Sequence, residues 1–288
     1  MSLNRKVFSL LLFLSFVVVL SNPTAYGEEE RKMSSDYRSL VSQALPLWDD
    51  KVLNVPASKI WTDKTSMQAV ARGVNDKVLM GIEREKKTSM YQDKERTVKI
   101  DQSRGRIRYL NNSREFQMGS SPKTAIDKQK AEGMMTESLR MIGLPADEFQ
   151  KPRVDTVVAQ GGSTETKKPD AKIYRERLVT VERMINSLPV FGSMSRGSVS
   201  NEGEISRLLI KWPDFIFTTS KRLMERDAVI EKIVKRIDSQ MKGQPVSVTI
   251  RLGYIQSPVA ERMVYVPGVV VSVLPSTTGF IFSVPVTE

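Results

Sequence analysis

The apolar residues of this chain change period several times, and each change predicts an element. Tyr37, Leu40, Val41, Ala44 and Leu45 fall on one face of a short helix that Ser34 or Ser35 can cap and Pro46 ends. Met67, Val70, Val74, Val78 and Leu79 follow Thr65 and Ser66 as a second helix, interrupted at Gly73. The period then drops to two. Val98 and Ile100 alternate with Thr97, Lys99 and Asp101, and Ile107 and Tyr109 alternate with Arg106 and Arg108. Residues 101–105 supply a turn between them, so the stretch reads as a β-hairpin.

The next helix has signals at both ends. Ser121 is placed as N-cap and Pro122 at the first helical position, where a missing N–H costs nothing. Ile126, Met135, Leu139 and Ile142 share its apolar face; Gly143, Leu144 and Pro145 are the residues of a Schellman ending. A strand over 153–160, a polar loop over 161–170 and an extended run from 171 to 181 follow. A hairpin pairs 194–199 with 204–211 over Asn201, Glu202 and Gly203. A third helix spans about 221–241, with Ile230, Ile233, Val234, Ile237 and Met241 at helical spacing and Glu231/Lys235 as a favourable pair. Strands at 246–255, 265–274 and 279–286 close the chain, where Pro258 and Pro267 suggest edges or bends. A helix followed by an antiparallel meander thus occurs at 121–212 and again at 221–286, with a degenerate copy over 65–116. Helices packed on antiparallel sheets make the fold class α+β.

The N-terminus carries a different pattern. Arg5 and Lys6 precede fourteen uncharged residues, 7–20, then Asn22 and Pro23. Small residues at the −3 and −1 positions place a cut between Gly27 and Glu28, the layout of a secretory signal. A membrane span needs about 20 apolar residues, more than this run supplies. The expectation is an exported protein, secreted or held in the periplasm or cell envelope, with no transmembrane span once the signal is removed. The segments in chain order are 1–27 (signal), 28–118 (helix and hairpin region), 119–216 and 217–288.

Composition narrows the chemistry. The 288 residues carry 44 Lys plus Arg against 33 Asp plus Glu, a formal charge of +11, with neither His nor Cys. Without Cys there are no disulfides, thiol nucleophiles or thiolate zinc sites in this chain. Without His there is no Ser-His-Asp triad and no HExxH zinc site. Phosphate-binding loops, dinucleotide fingerprints and EF-hand loops do not occur in the sequence either.

Asn186, Leu188, Pro189, Val190, Phe191, Gly192 and Ser193 form a bend, and Glu202, Gly203, Glu204 and Ile205 a turn, between extended segments. In this the chain resembles the PepSY/FTP group, the modules found in propeptides of thermolysin-like and fungalysin metallopeptidases. Their pattern is a strand, an "nGlPVfGs" bend, a strand, a dGxi turn and another strand. Ser187 stands where the family has Gly, and Glu202 where it has Asp. The likeness covers 173–212 at motif level and 121–286 at element level. It implies repeated PepSY-like units acting as chaperone or inhibitor of a peptidase, here as a stand-alone relative without a peptidase domain.

The candidate partner-binding residues are Leu188, Pro189, Val190, Phe191 and Gly192, for which a structural bend with a buried Phe is the favoured reading. Trp212 reads as a packing residue. Arg104, Arg106, Arg108 and Arg114 surround the Tyr109 hairpin, with Arg106 and Arg108 on one strand face. Asp49/Asp50, Glu83/Glu85 and Asp147/Glu148 are adjacent acids. The expected function is non-catalytic, with no cofactor, metal or nucleic acid. The expected partner is an exported or envelope protein, a peptidase among the candidates. Two alternatives stand beside it: a basic module binding an anionic envelope polymer, and an enzyme using paired carboxylates. The sequence leaves oligomeric state open.

Overall fold

The computed structural model describes residues 18–20, 33–47, 66–82, 89–101, 104–115, 124–160, 172–213, 222–256, 265–275 and 278–287. The predicted cleavage position at Gly27 and Glu28, the cap at Ser121 and Pro122, the loop 161–170, Pro258, and the acid pairs Asp49/Asp50 and Glu83/Glu85 lie outside them.

In chain order the strands and α-helices are β1 (Val18–Leu20), α1 (Tyr37–Ala44), α2 (Met67–Gly73), α3 (Lys77–Met80), β2 (Met90–Gln92), β3 (Arg96–Asp101) and β4 (Arg106–Asn111). They continue as α4 (Lys128–Ile142), β5 (Arg153–Ala159), β6 (Ile173–Ile185), β7 (Leu188–Ser200), β8 (Ile205–Lys211), α5 (Arg226–Met241), β9 (Val246–Gln256), β10 (Tyr265–Pro275) and β11 (Phe280–Pro285). The chain is α+β. A helix or helix pair precedes an antiparallel meander three times among the described residues: α2 and α3 before β2–β4, α4 before β5–β8, and α5 before β9–β11.

The strands order as β1-β5-β6-β7-β8-β4-β3-β2, each neighbouring pair antiparallel. Strand β8 joins two meanders by pairing with β4, Ile210 opposite Ile107. The antiparallel set β9-β10-β11 attaches through a single parallel bridge from Val190 of β7 to Tyr254 of β9.

Two large cores result, beside a small cluster at the β7–β9 seam, and both large ones draw on distant parts of the chain. The first gathers Met67, Val70 and Leu79 from α2 and α3 and Met135, Leu139 and Ile142 from α4. These pack on Ile107, Tyr109, Val179, Val199, Leu208 and Ile210, all on one face of the large sheet. The second packs Tyr37, Leu40 and Val41 of α1 and Val229, Ile233 and Ile237 of α5 on Ile250, Val271 and Phe282. Arg38 of α1 pairs with Glu231 of α5 on the outside of that core.

Several ends differ from the sequence expectation for local reasons. Asp36, not Ser34 or Ser35, caps α1 by accepting from the Ser39 N–H, while the Ser34 hydroxyl accepts from the Asp36 N–H. Asp127 caps α4, which therefore begins at Lys128, after the Ser121 and Pro122 signal. The interruption at Gly73 is a new helix start, because Asp76 accepts from the Val78 and Leu79 N–H groups and opens α3, leaving Val78 exposed. The Schellman ending of α4 forms: Gly143 has φ +104°, the Leu144 N–H reaches the Leu139 carbonyl at 3.0 Å, and Leu144 is buried. Pro267 lies in β10 between β9 and β11 and not at an edge. Its carbonyl accepts from Val286 at 3.1 Å, and the Val286 carbonyl that its missing N–H would have met accepts from the Met224 N–H at 2.8 Å instead.

Candidate binding surface

The Leu188–Gly192 bend is where the two sets of strands meet. Asn186 and Ser187 have φ of +50° and +63° and form a two-residue hairpin turn between β6 and β7, as a type I′ turn requires. Register then slips: Met184 faces Pro189, but Glu182 faces Met194. The extra β7 residues, Val190–Ser193, bulge away from β6 and turn toward β9. Val190 is buried and bridges Tyr254; Leu188 packs beside Ile185, Val190, Tyr254 and Tyr265. Gly253 of β9 forms the floor, because a Cβ there would lie 2.4 Å from the Pro189 carbonyl oxygen and 2.7 Å from the Phe191 ring. Phe191 is half-buried, and the Arg251 guanidinium stands 5.3 Å above its ring. Gly192, at φ +83°, is exposed and adopts a backbone angle that side-chain-bearing residues resist.

Trp212 is fully buried, and its indole N–H donates to Glu148 at 2.9 Å. Arg183 donates to the same carboxylate oxygen at 2.6 Å and to the Pro213 carbonyl at 2.7 Å, with its guanidinium 5.3 Å from the indole. Phe149 meets the ring edge-on at 5.7 Å. The indole is thus enclosed by protein on its polar and apolar sides, a packing role. Glu148 is held in this network while its neighbour Asp147 is exposed, so that acid pair points two ways. Among the described residues no three Asp or Glu side chains converge as a cation site.

The four arginines around Tyr109 separate into two pairs of roles. Arg104 is exposed and lies 3.9 Å from Asp101. Arg114 joins segments: it donates to the Val74 and Asn75 carbonyls at 2.7 Å and lies 3.5 Å from Glu204. Arg106 and Arg108 project from the sheet face opposite the first core and are exposed.

Close by lies a buried carboxylate that the sequence did not single out. Asp76 accepts from Arg96 at 3.1 Å, from the Tyr109 hydroxyl at 3.0 Å and from Asn111 at 3.1 Å, besides capping α3. Burial alone would push this carboxyl up. The Tyr109 and Leu79 hydrogen bonds and the charges of Arg96 and Arg114 outweigh it and hold Asp76 below the usual carboxylate range. Burial pushes the Tyr109 hydroxyl well above the ordinary tyrosine value. This cluster ties α3 to β3 and β4.

The outward face of the large sheet carries no described helix. Its groove, of about 660 Å³, is floored by Leu110, Leu178, Leu209 and Val157 from β4, β6, β8 and β5. Arg108, Arg196 and Arg207 rim it. Two acids line the groove beside three arginines: Glu115 pairs with Arg207 at 2.7 Å, and Glu176 accepts from the Ser198 hydroxyl at 3.1 Å. Among the described residues Arg196 donates to the Thr180 hydroxyl, at 3.3 Å, and makes no ion pair. Arg108 and the facing Lys99 make no ion pair among the described residues. Partly exposed leucines inside a cationic border suit a ligand that is apolar in places and acidic in others. Strand alternation could have revealed the outward parity of these residues. Their assembly into one surface depends on the registers of the β5–β8 meander and on the non-local pairing of β8 with β4.

No protein-family model matches the chain, and no curated protein matches it. Among the described residues no helix is long and apolar enough to cross a membrane.

Proposed function

We propose that this chain is an exported, non-catalytic binding module of the PepSY/FTP kind, whose ligand is a segment of another exported or envelope protein lying on the open face of the large sheet. One observation carries the reading: a sheet whose inner face is sealed by α2, α3 and α4 presents leucines inside a cationic border on the other face. Leu110, Leu178 and Leu209 are partly covered already, and covering what remains of each gives about 0.5–1 kcal/mol. A peptidase is the partner class that the resemblance implies. The Leu188–Gly192 bend serves this module by holding β9–β11 to β7, not by presenting Phe191 to the ligand.

A second reading, an anionic envelope polymer, is favoured by the uncompensated Arg108 and Lys99. Salt separates the two, because a charge-led complex dissolves as ionic strength rises and an apolar one persists. The test is affinity capture from the host's exported proteins at low and high salt, with wild type, a Leu178→Gln/Leu209→Gln variant and Phe191→Ala as baits. A salt-resistant partner lost with the double leucine variant and kept by folded Phe191→Ala is the expected result. Recovery of nothing, or of anionic material that salt releases, overturns the reading.

A further inference from the structure

Strand register places the cations of the open face in a line. Arg153 of β5 faces Thr180 of β6, Thr180 faces Arg196 of β7, Arg196 faces Leu209 of β8, Leu209 faces Arg108 of β4, and Arg108 faces Lys99 of β3. Directly opposed residues project from the same side, so one row crosses the sheet at right angles to its strands. Neighbouring strands lie about 4.8 Å apart, which puts Arg153, Arg196 and Arg108, on alternate strands, about 10 Å from one another. Between Arg196 and Arg108 stands Leu209, and the next row supplies Leu178 and Leu110.

Folding does not account for this row. Arg108 directly opposite Lys99 is a like-charge cross-strand pair, which destabilises a sheet. Among the described residues of the row, an ion pair is made at its end, by Arg153 with Asp155 at 3.2 Å, and none by Arg196, Arg108 or Lys99. The interior strands also have their backbone groups committed to the ladder on both sides, so a ligand here meets side chains and not unpaired N–H or C=O groups.

We infer that the ligand segment is an acidic polyproline II stretch crossing the strands, with a carboxylate at every third residue. That helix has three residues per turn and rises about 3.1 Å per residue, so every third side chain projects from one side at intervals of about 9 Å. This matches the spacing of the arginines, whereas a β-strand returns to the same face every two residues, at about 7 Å. The conformation satisfies no hydrogen bonds of its own and needs no strand edge to lie against. Its intervening prolines or other apolar residues rest on Leu209, Leu178 and Leu110, while its acids meet Arg153, Arg196 and Arg108. The inference rests on the open-face reading above and adds to it the conformation and spacing of the ligand.

The test is fluorescence anisotropy with the full chain and three peptides: four Glu-Pro-Pro repeats, the same composition with its glutamates contiguous, and four Gln-Pro-Pro repeats. A polygalacturonate chain serves as the anionic polymer. The repeat peptide is expected to bind at least tenfold tighter than the contiguous one, with the glutamine peptide weaker still. Arg196→Gln/Arg108→Gln lowers that affinity at least tenfold with its thermal midpoint unchanged or raised, and Lys128→Gln, on the helix-covered side, leaves it unchanged. Equal binding of the two acidic peptides overturns the spacing. Polygalacturonate binding that needs Arg196 and Arg108, with no peptide bound, overturns the protein ligand in favour of a polymer. If capture of a partner still depends on Leu178 and Leu209 while peptide spacing has no effect, the surface stands and the spacing falls; if neither holds, both fall.

Discussion

Asp76 joins a helix cap to two strands through one carboxylate, and its removal strands several donors at once. Asp76→Ala is expected to lose roughly 3 kcal/mol of stability in urea unfolding, since breaking a buried pair leaves Arg96, Tyr109 and Asn111 without their acceptor. Its folded pKa is depressed, so its contribution is present above the unfolded carboxylate pKa near 4 and is lost as pH falls through the lower folded value. Urea midpoints of wild type and Asp76→Asn should therefore differ most at neutral pH and converge below about pH 4; a gap that is constant with pH contradicts the assignment. At the β6–β7 turn, Ser187→Gly should raise stability by about 0.5 kcal/mol, because Ser187 holds a left-handed backbone that glycine adopts without a clash. A lower thermal midpoint would show that the hydroxyl matters more than the backbone angle. Residue-level signals were legible where the physics is local, as at Gly143 and Leu144. Asp76 was not, because its partners lie far along the chain and only the β3–β4 hairpin brings them together. The α1 cap shows that nearby candidates are hard to rank from sequence alone: Asp36, not Ser34 or Ser35, accepts from the Ser39 N–H.

At the scale of elements, the seam between β7 and β9 has the least strand pairing of any in the described sheet, one parallel bridge reinforced by Pro189, Phe191 and Gly253. Gly253→Ala drives a methyl into a backbone carbonyl that cannot swing aside, and should cost about 1–3 kcal/mol. Hydrogen exchange should then quicken first at Tyr254 and Val190, ahead of the interiors of β8 and β10. Uniform loss of protection would place the seam within one cooperative unit and contradict that order. The helix-then-meander order was readable from the change of hydrophobic period at each boundary. The β8–β4 pairing was not, because period fixes which face a strand buries but not which strand lies beside it.

Among the described residues the helices pack on one side of each set of strands, and no helix covers the outer side of the larger set. The two large cores mix early and late parts of the chain: α1 completes the C-terminal core, and α2 to β4 complete the one built around α4. Export is part of the proposed function and has its own check: protein recovered outside the cytoplasm should begin at Glu28 and so lack β1, which lies beside Thr156, Val157 and Val158 of β5 in the intact chain, whereas intact chain retained inside the cell contradicts it. The central claim, that the open sheet face is the binding surface, is tested most directly by photo-crosslinking in the native host. A photoreactive side chain at position 209, on that face, is compared with one at position 128, on α4. Capture of one discrete exported protein from position 209, surviving a high-salt wash and absent from position 128, is the predicted result. Adducts from position 128 alone, or the same mixture from both, would contradict it.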